Sequence, residues 1–230
     1  MSAVHGVPTG PILAIEASCQ RGSAAVIRDG VVVAERDAGM RGANGEWLMP
    51  AVAEALAEAG VAVSELVGVV CGGGPGSFTS LRIGAAIAKG IAVGQDLPLY
   101  QLSSLLLVAT GGEPLPPGGY LVVTDALRGE WFAAVVRVAD DGAVLPEGIP
   151  ARLGRDAVTA LAAEQGLRLI GPTEDGDAER WPHARGAARF VDALVAGGPV
   201  ELESWEPDYG RLAEAQVKWE AAHGRALTVE

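Results

Sequence analysis

The fold is decided by residues 12–35, whose sequence is ILAIEASCQRGSAAVIRDGVVVAE. The run Ile12–Ile15 is apolar throughout, which is typical of a central strand buried on both faces. Asp29-Gly30 separates two segments rich in β-forming residues, and this dipeptide favours the positive φ angles of a type I′ hairpin turn. The stretch therefore predicts three consecutive strands, at Ile12–Ile15, Ser23–Arg28 and Val31–Glu35.

The residues that follow predict helices that alternate with strands. Asn44 can cap a helix that ends at Gly60. The apolar face of this helix has residues at helical spacing: Leu48, Ala51, Val52, Ala55 and Leu56. Three more elements are expected: a strand at Leu66–Cys71, a helix at Ser77–Val93 and a strand at Leu97–Gln101. The predicted order is βββαβαβ.

The second half of the chain repeats this opening. Tyr120–Thr124 and Trp131–Val138 are expected strands, and Asp141-Gly142 predicts another hairpin turn. An acidic residue closes the first strand of each half, Glu16 in one and Asp125 in the other. Further helices are expected near Arg155–Glu164, Ala187–Val195 and Leu212–His223.

The repeat predicts a two-lobed α/β fold of the actin-like, ribonuclease-H-like type, in which the second lobe is degenerate. Residues 1–11 are expected to form a flexible tail. The first lobe is expected at 12–110, and the second at 111–230 with a terminal helix. The division falls at the start of Gly111–Gly119, which is rich in Gly and Pro.

The composition restricts the function. The net charge is −12, whereas nucleic-acid binding requires Lys and Arg to displace counterions from phosphates. No direct binding to nucleic acid by this chain alone is therefore expected. Cys19 and Cys71 are too few for a disulfide framework, and we expect neither a signal peptide nor a membrane span. These features indicate a cytoplasmic protein.

A glycine-rich loop joins a predicted strand to a predicted helix at residues 72–84, GGGPGSFTSLRIG. Such a loop lets backbone approach a ligand, and a helix N-terminus favours anions. However, a P-loop would need Lys after Gly76, and the G-x-G-x-x-G pattern lacks its third glycine. The alternative is a tight turn with Ser77 as the N-cap of the helix.

The helix after this loop is apolar on nearly every side. Within residues 81–93 only Arg82 and Lys89 are charged. Such a helix is either buried in its own domain or shared with a partner, and periodicity leaves both alternatives open. Small residues at four-residue spacing, such as Ala86 and Gly90, would let the backbone of another helix approach.

Two carboxylates, Glu16 and Asp125, are the candidates for chemistry. At the ends of equivalent strands they could bind a metal–nucleotide, and the alternative is a pair of ordinary turn acids. The candidate nucleotide contacts are Glu16, Ser18, Gly74, Gly76, Ser77 and Asp125. No cofactor is expected apart from an adenine nucleotide held at a subunit interface. No metal site is expected, because His5, His183 and His223 lack the spacing of ligands.

Residues 74–84, GPGSFTSLRIG, closely resemble the GPGSFTGLRIG signature of the TsaB (YeaZ) family. Three other segments are similar to family motifs in the same order: ILAIEAS at 12–18, DALRGEWF at 125–132 and PDYGR at 207–211. The resemblance extends roughly from Ile12 to Lys218, which is nearly the whole chain.

The resemblance implies a non-catalytic subunit that binds TsaD, the transferase that places threonylcarbamoyl on adenosine 37 of ANN-decoding tRNAs. It also implies an ATPase subunit, TsaE, in the same assembly, and a homodimer when TsaD is absent. In the family two first-lobe helices make these contacts. The corresponding partner-interface residues are Leu48, Ala51, Val52, Ala55, Leu56, Phe78, Leu81, Arg82, Ile83, Ala85, Ala86, Lys89 and Gly90.

The sequence departs from the family pattern at three places. Glu16-Ala17 replaces the usual Asp-Thr, Ser80 replaces a glycine of the signature, and residues 41–46 replace a His-Ser-Glu segment. These changes weaken the rival hypothesis of a small ATPase or kinase that uses Glu16 and Asp125. The family has also been labelled M22 glycoprotease-like, but the chain has no G-x-S-x-G elbow.

Overall fold

A computed structural model describes residues 9–40, 47–174 and 176–210 of the chain. The first of its two sheets has the order β3-β2-β1-β4-β5. Its strands are β1 Ile12–Glu16, β2 Arg21–Arg28, β3 Val31–Gly39, β4 Gly68–Gly72 and β5 Leu99–Leu102. Asp29 and Gly30 have φ angles of 52° and 73°, which confirms the predicted hairpin turn.

Helices α1 (Leu48–Ala59) and α2 (Phe78–Gln95) pack on one face of this sheet. Asn44, the expected cap of α1, lies outside the described residues, and Trp47 holds the N-cap position. Ser77 holds the N-cap position of α2 as predicted. Its hydroxyl does not cap the helix and instead accepts a hydrogen bond from Ser80 Oγ at 3.1 Å.

The second sheet repeats the order of the first, as β8-β7-β6-β9-β10. Its strands are β6 Gly118–Asp125, β7 Glu130–Val138, β8 Val144–Gly154, β9 Arg168–Gly171 and β10 Ala178–Glu179. In both sheets an antiparallel meander is followed by two parallel strands, which confirms the predicted duplication. Among the described residues between β9 and β10 there is no counterpart of α2, so the second lobe is the degenerate one.

Two expected helices of the second half need comment. The helix expected at Ala187–Val195 is instead a 3₁₀ helix, Ala184–Arg189, followed by α5 at Val191–Gly197. The expected terminal helix, Leu212–His223, lies outside the described residues. The helix near Arg155 is confirmed as Arg155–Gln165 and is the fourth helix, α4, in chain order.

Each sheet is covered in part by helices from the other half of the chain. Helix α3, Ser104–Thr110, was not predicted, and it packs on the second sheet against Tyr120 and Val122. The 3₁₀ helix Ala184–Arg189 and α5 pack in turn on the first sheet. The expected division after Thr110 stays a prediction, because packing crosses that point in both directions.

The residues after α5 return along the first lobe. Val200 donates its amide hydrogen to the Leu99 carbonyl at 2.8 Å, at the edge of β5. The indole of Trp205 is buried in the first-lobe core and donates a hydrogen bond to Gln101. Asp208 lies beside the glycine loop, where its amide donates to the Gly73 carbonyl at 2.7 Å. Within the described ranges, no helix is both long and apolar enough to cross a membrane.

Candidate functional site: a closed glycine loop and an exposed helical face

The glycine loop, defined here as residues 72–77, connects β4 to α2 and is packed by the chain itself. A Cβ atom at any of its four glycines would overlap another part of the protein. The overlapping groups are the Glu16 carboxyl at Gly72, the Gln101 side chain at Gly73, the Asp208 carbonyl at Gly74 and the Ser18 backbone at Gly76. These glycines therefore allow close internal packing.

The backbone of the glycine loop hydrogen-bonds to the chain around it. The Gly73 amide donates to the Leu102 carbonyl at 2.8 Å, and the Gly74 amide donates to Ser104 Oγ at 3.1 Å. The Ser77 amide donates to the Ser18 carbonyl at 2.7 Å. These three amides, which could face an anion in a phosphate-binding loop, are thus directed at protein acceptors.

Glu16 lies behind the glycine loop and is completely buried. One carboxyl oxygen accepts a hydrogen bond from the Ser18 amide, and the other accepts one from Ser104 Oγ at 2.9 Å. Burial raises the pKa of Glu16, and the hydrogen bonds from Ser18 and Ser104 oppose that rise. The neighbouring Cys71 thiol also has a raised pKa, mainly because of burial.

Asp125 occupies the equivalent position at the end of β6 but is exposed. Its Oδ1 accepts a hydrogen bond from the Leu127 amide at 2.8 Å, within a turn where Leu127 and Arg128 have φ angles of 63° and 57°. Each acid thus accepts a hydrogen bond from the amide two residues later, the geometry of a turn acid. A nucleotide contact by either acid stays a prediction.

Two motifs that resemble those of the family, at residues 74–84 and 207–211, lie in contact at the start of α2. The Tyr209 ring lies 4.6 Å from the Phe78 ring, centroid to centroid. The Arg82 guanidinium lies 4.1 Å from the centroid of the Phe78 ring, and its Nε donates to the Tyr209 hydroxyl at 3.3 Å. Sequence reasoning missed this cluster, although the joint presence of both motifs was an available signal. Arg211, the last residue of the second motif, lies outside the described residues.

Seven of the predicted partner-interface residues are buried in the first lobe of the isolated chain. They are Leu48, Ala51, Val52, Ala55, Leu56, Leu81 and Ala85. Apolar residues at helical spacing are also typical of the face that packs on the helix's own sheet, so a partner contact by these seven residues stays a prediction. Glycine 84 belongs to this inner face, since a Cβ there would lie 2.9 Å from Ala17 Cβ.

The other predicted interface residues lie on the outer side of α2. Phe78, Arg82, Ala86 and Gly90 are exposed, and Ile83 and Lys89 are half-buried. Sequence reasoning missed the exposed residues of α1. We define the docking face as the exposed small and apolar residues of both helices: Met49, Pro50, Ala53, Ala57, Ala86, Gly90 and Val93.

The charged side chains of the two helices each contact another side chain of the protein. Arg82 is stacked on Phe78, and Lys89 Nζ lies 5.7 Å from the centroid of the Trp205 ring. On α1, Glu54 and Glu58 both pair with Arg36 of β3. In the described part of the chain, no group of three or more His, Cys, Asp and Glu side chains could hold a metal ion.

The duplicated sheets, the exchanged helices and the internally packed loop define a two-lobed protein of the actin-like class. A Pseudomonas aeruginosa crystal structure, of a protein with similarity to the peptidase YeaZ, matches this fold. The TM-score is 0.74 at 26% identity, with 88% of this chain and 100% of that chain covered. The expected fold class is thereby confirmed.

Sequence relatives identify the family. The TsaB protein of Escherichia coli, a tRNA threonylcarbamoyladenosine biosynthesis protein, is 36% identical over 93% of this chain and 99% of its own length. The TsaB protein of Bacillus subtilis is 26% identical over 90% and 97%. Residues 43–148 match the family model for TsaD, tRNA N6-adenosine threonylcarbamoyltransferase. The chain belongs to the TsaB family of tRNA threonylcarbamoyladenosine biosynthesis proteins.

Proposed function

We propose that this chain is a non-catalytic subunit that binds a TsaD-type transferase through the docking face and supports its threonylcarbamoylation of tRNA adenosine. The observation that carries the proposal is the set of exposed small and apolar residues on the outer sides of α1 and α2, on a protein whose net charge is −12. Val93 is 68% exposed and Met49 is 45% exposed on this face. Exposed apolar residues grouped on one face are typical of protein–protein contacts.

Gly90 supports a close approach by a partner. A glycine inside a helix destabilises it by about 1 kcal/mol relative to alanine. Apart from its chain neighbours and the backbone of its own helical turns, no atom of the described chain comes within 4 Å of the place where a Cβ at this position would lie. The glycine therefore has no role in packing among the described residues, whereas a partner helix crossing at Gly90 would gain contact from the missing side chain.

The closed glycine loop supports the absence of chemistry in the proposed role. Its amides donate to protein acceptors, and Glu16 is buried behind it rather than directed at solvent. The acidic surface also suits a subunit that leaves tRNA binding to others. In the full proposal a TsaE-type ATPase joins the assembly in the cytoplasm, and the same face forms a homodimer when the transferase is absent.

The proposal is tested by mixing this protein with a purified TsaD-type transferase from the same organism. We expect the two proteins to co-elute from a sizing column at micromolar concentrations. Ala86→Arg should abolish co-elution, because it places a charge and a long side chain at the centre of the docking face. Ala160→Arg is the matched control, since Ala160 is an exposed alanine on α4 of the other lobe.

The variants separate docking from folding. Both should keep the far-ultraviolet circular dichroism spectrum and the melting temperature of the parent protein, because both positions are exposed. Separate elution of the parent protein and the transferase would contradict the proposal. Equal binding by Ala86→Arg and Ala160→Arg would show that the contact lies elsewhere on the molecule.

A further inference from the structure

We infer that the glycine loop, together with Ser18 and Ser104 beside it, forms a binding site for a carboxyl group, and that the group it binds is the Glu16 side chain of the same chain. The inference does not depend on the docking face, which lies on the outer side of α1 and α2. According to this inference, the ligand of the glycine-rich segment is a side chain of the protein itself.

Both oxygens of the Glu16 carboxyl meet a donor. Oε1 accepts from the Ser18 amide, and Oε2 accepts from Ser104 Oγ at 2.9 Å. Ser104 Oγ accepts in turn from the Gly74 amide at 3.1 Å. The Gly74 amide, which a phosphate-binding loop would offer to an external anion, thus reaches this carboxyl through one hydroxyl group.

Two glycines of the loop make room for this arrangement. A Cβ at Gly72 would overlap both Glu16 Oε2 and Glu16 Cδ, so the carboxyl occupies the space of the missing side chain. A Cβ at Gly76 would overlap the backbone of Ser18, the residue whose amide donates to Glu16 Oε1. Both glycines therefore serve the binding of the same carboxyl group.

The site is sealed in the folded chain. Glu16 has an exposure of 0%, and Ser104 has the same value. An external anion, such as a nucleotide phosphate, would therefore have to displace the carboxyl before it could reach the donors. The Glu16 carboxyl group therefore occupies the space that an external anion would need.

Removal of the carboxyl should leave a vacancy that small carboxylates can fill. In Glu16→Ala, the Ser18 amide and the Ser104 hydroxyl lose their acceptor, and the melting temperature should fall. Sodium formate or sodium acetate should raise the melting temperature of Glu16→Ala by a few degrees, because a ligand that binds only the folded state stabilises it. Sodium chloride at equal ionic strength should not, and the parent protein should not respond to either carboxylate. A folded Glu16→Ala protein that shows no carboxylate-specific shift would overturn the inference.

A second set of variants tests the site if Glu16→Ala does not fold. Gly72→Ala should strongly lower the melting temperature, because the new methyl group takes the place of Glu16 Oε2. Glu16→Asp withdraws the carboxyl by one methylene, so Gly72→Ala should lower the melting temperature less in that background. Equal losses in both backgrounds would overturn the inference. Neither substitution touches the docking face, so failure here and failure of transferase binding are distinguishable.

Discussion

Ser104 Oγ donates a hydrogen bond to Glu16 Oε2 at 2.9 Å, and this contact joins the first strand of one lobe to the helix that packs on the other. Ser104 is the first residue of α3, and its amide also donates to the Gly74 carbonyl at 2.8 Å. One buried serine therefore connects β1, the glycine loop and the exchanged helix.

Ser104→Ala should destabilise the protein by about 2 kcal/mol, because it leaves the Gly74 amide and a buried carboxyl oxygen without a partner. Urea denaturation followed by tryptophan fluorescence measures the change. Ser64→Ala is the control, since Ser64 is exposed and its loss should change stability by less than about 0.5 kcal/mol. Equal stability of the two variants would show that the serine contact contributes nothing to holding the lobes.

Two glycines of α2 should respond in opposite directions to alanine. Gly90→Ala should stabilise the isolated chain by about 0.5–1 kcal/mol, because no described atom lies near the new methyl group. Gly84→Ala should destabilise it by about 1–3 kcal/mol, since the new Cβ would lie 2.9 Å from Ala17 Cβ. Denaturation curves in urea measure both changes.

Binding of the transferase should also depend on the outer side of α2, where Gly90 lies. Gly90→Ala should weaken transferase binding even though it stabilises the chain, because a partner helix loses its close approach at that point. Isothermal titration with the transferase measures this. Unchanged affinity for Gly90→Ala would place the closest contact at another residue of the docking face.

The sequence predicted the duplicated strands because their signals are local. Asp29-Gly30 and the apolar run Ile12–Ile15 act through backbone preferences and burial that neighbouring residues already express. Helix α3 was missed because Ser104–Thr110 is short and buried on every side, so it shows no helical periodicity. Its packing on the opposite lobe depends on contacts distant in sequence.

The site was predicted less well than the fold. An apolar stripe such as Leu48, Val52 and Leu56 is required both for packing on a sheet and for binding a partner, and spacing does not distinguish the two uses. The docking face is recognisable only as what remains exposed once that stripe is buried. The internal ligand of the glycine loop was hidden for a related reason, because Glu16 and Ser104 are brought together only by the fold.

His183 should make stability depend on pH. Its Nδ1 accepts a hydrogen bond from the Arg185 amide at 3.0 Å, and Nε2 lies 3.3 Å from Asp37 Oδ1. Burial, and then the charge of Arg185, lower the pKa of His183 to about 4, although Asp37 opposes the shift. Because the unfolded state binds this proton more readily, stability should fall as pH drops from about 6.5 to 4, by up to about 3 kcal/mol.

The difference between the parent protein and His183→Asn isolates this effect. Urea denaturation at several pH values should give a steeper loss of stability for the parent protein below pH about 6.5. Glu16 acts in the opposite direction, because its raised pKa gives stability that is lost as pH rises through that value. The contribution of Glu16 is the same in the parent protein and in His183→Asn, so it cancels when their stabilities are subtracted. Parallel curves would show that His183 is protonated equally in the folded and unfolded states.

Asp125→Ala distinguishes an accessory subunit from a nucleotide-hydrolysing one. The substitution removes the hydrogen bond from the Leu127 amide at 2.8 Å and should destabilise the chain by about 1 kcal/mol. A non-catalytic subunit should still restore threonylcarbamoyladenosine in cells depleted of the parent protein, because the docking face is untouched. Mass spectrometry of tRNA nucleosides measures the modified base, and Ala86→Arg in the same cells should fail to restore it. A folded Asp125→Ala protein that binds the transferase but leaves the tRNA unmodified would instead assign Asp125 a chemical role.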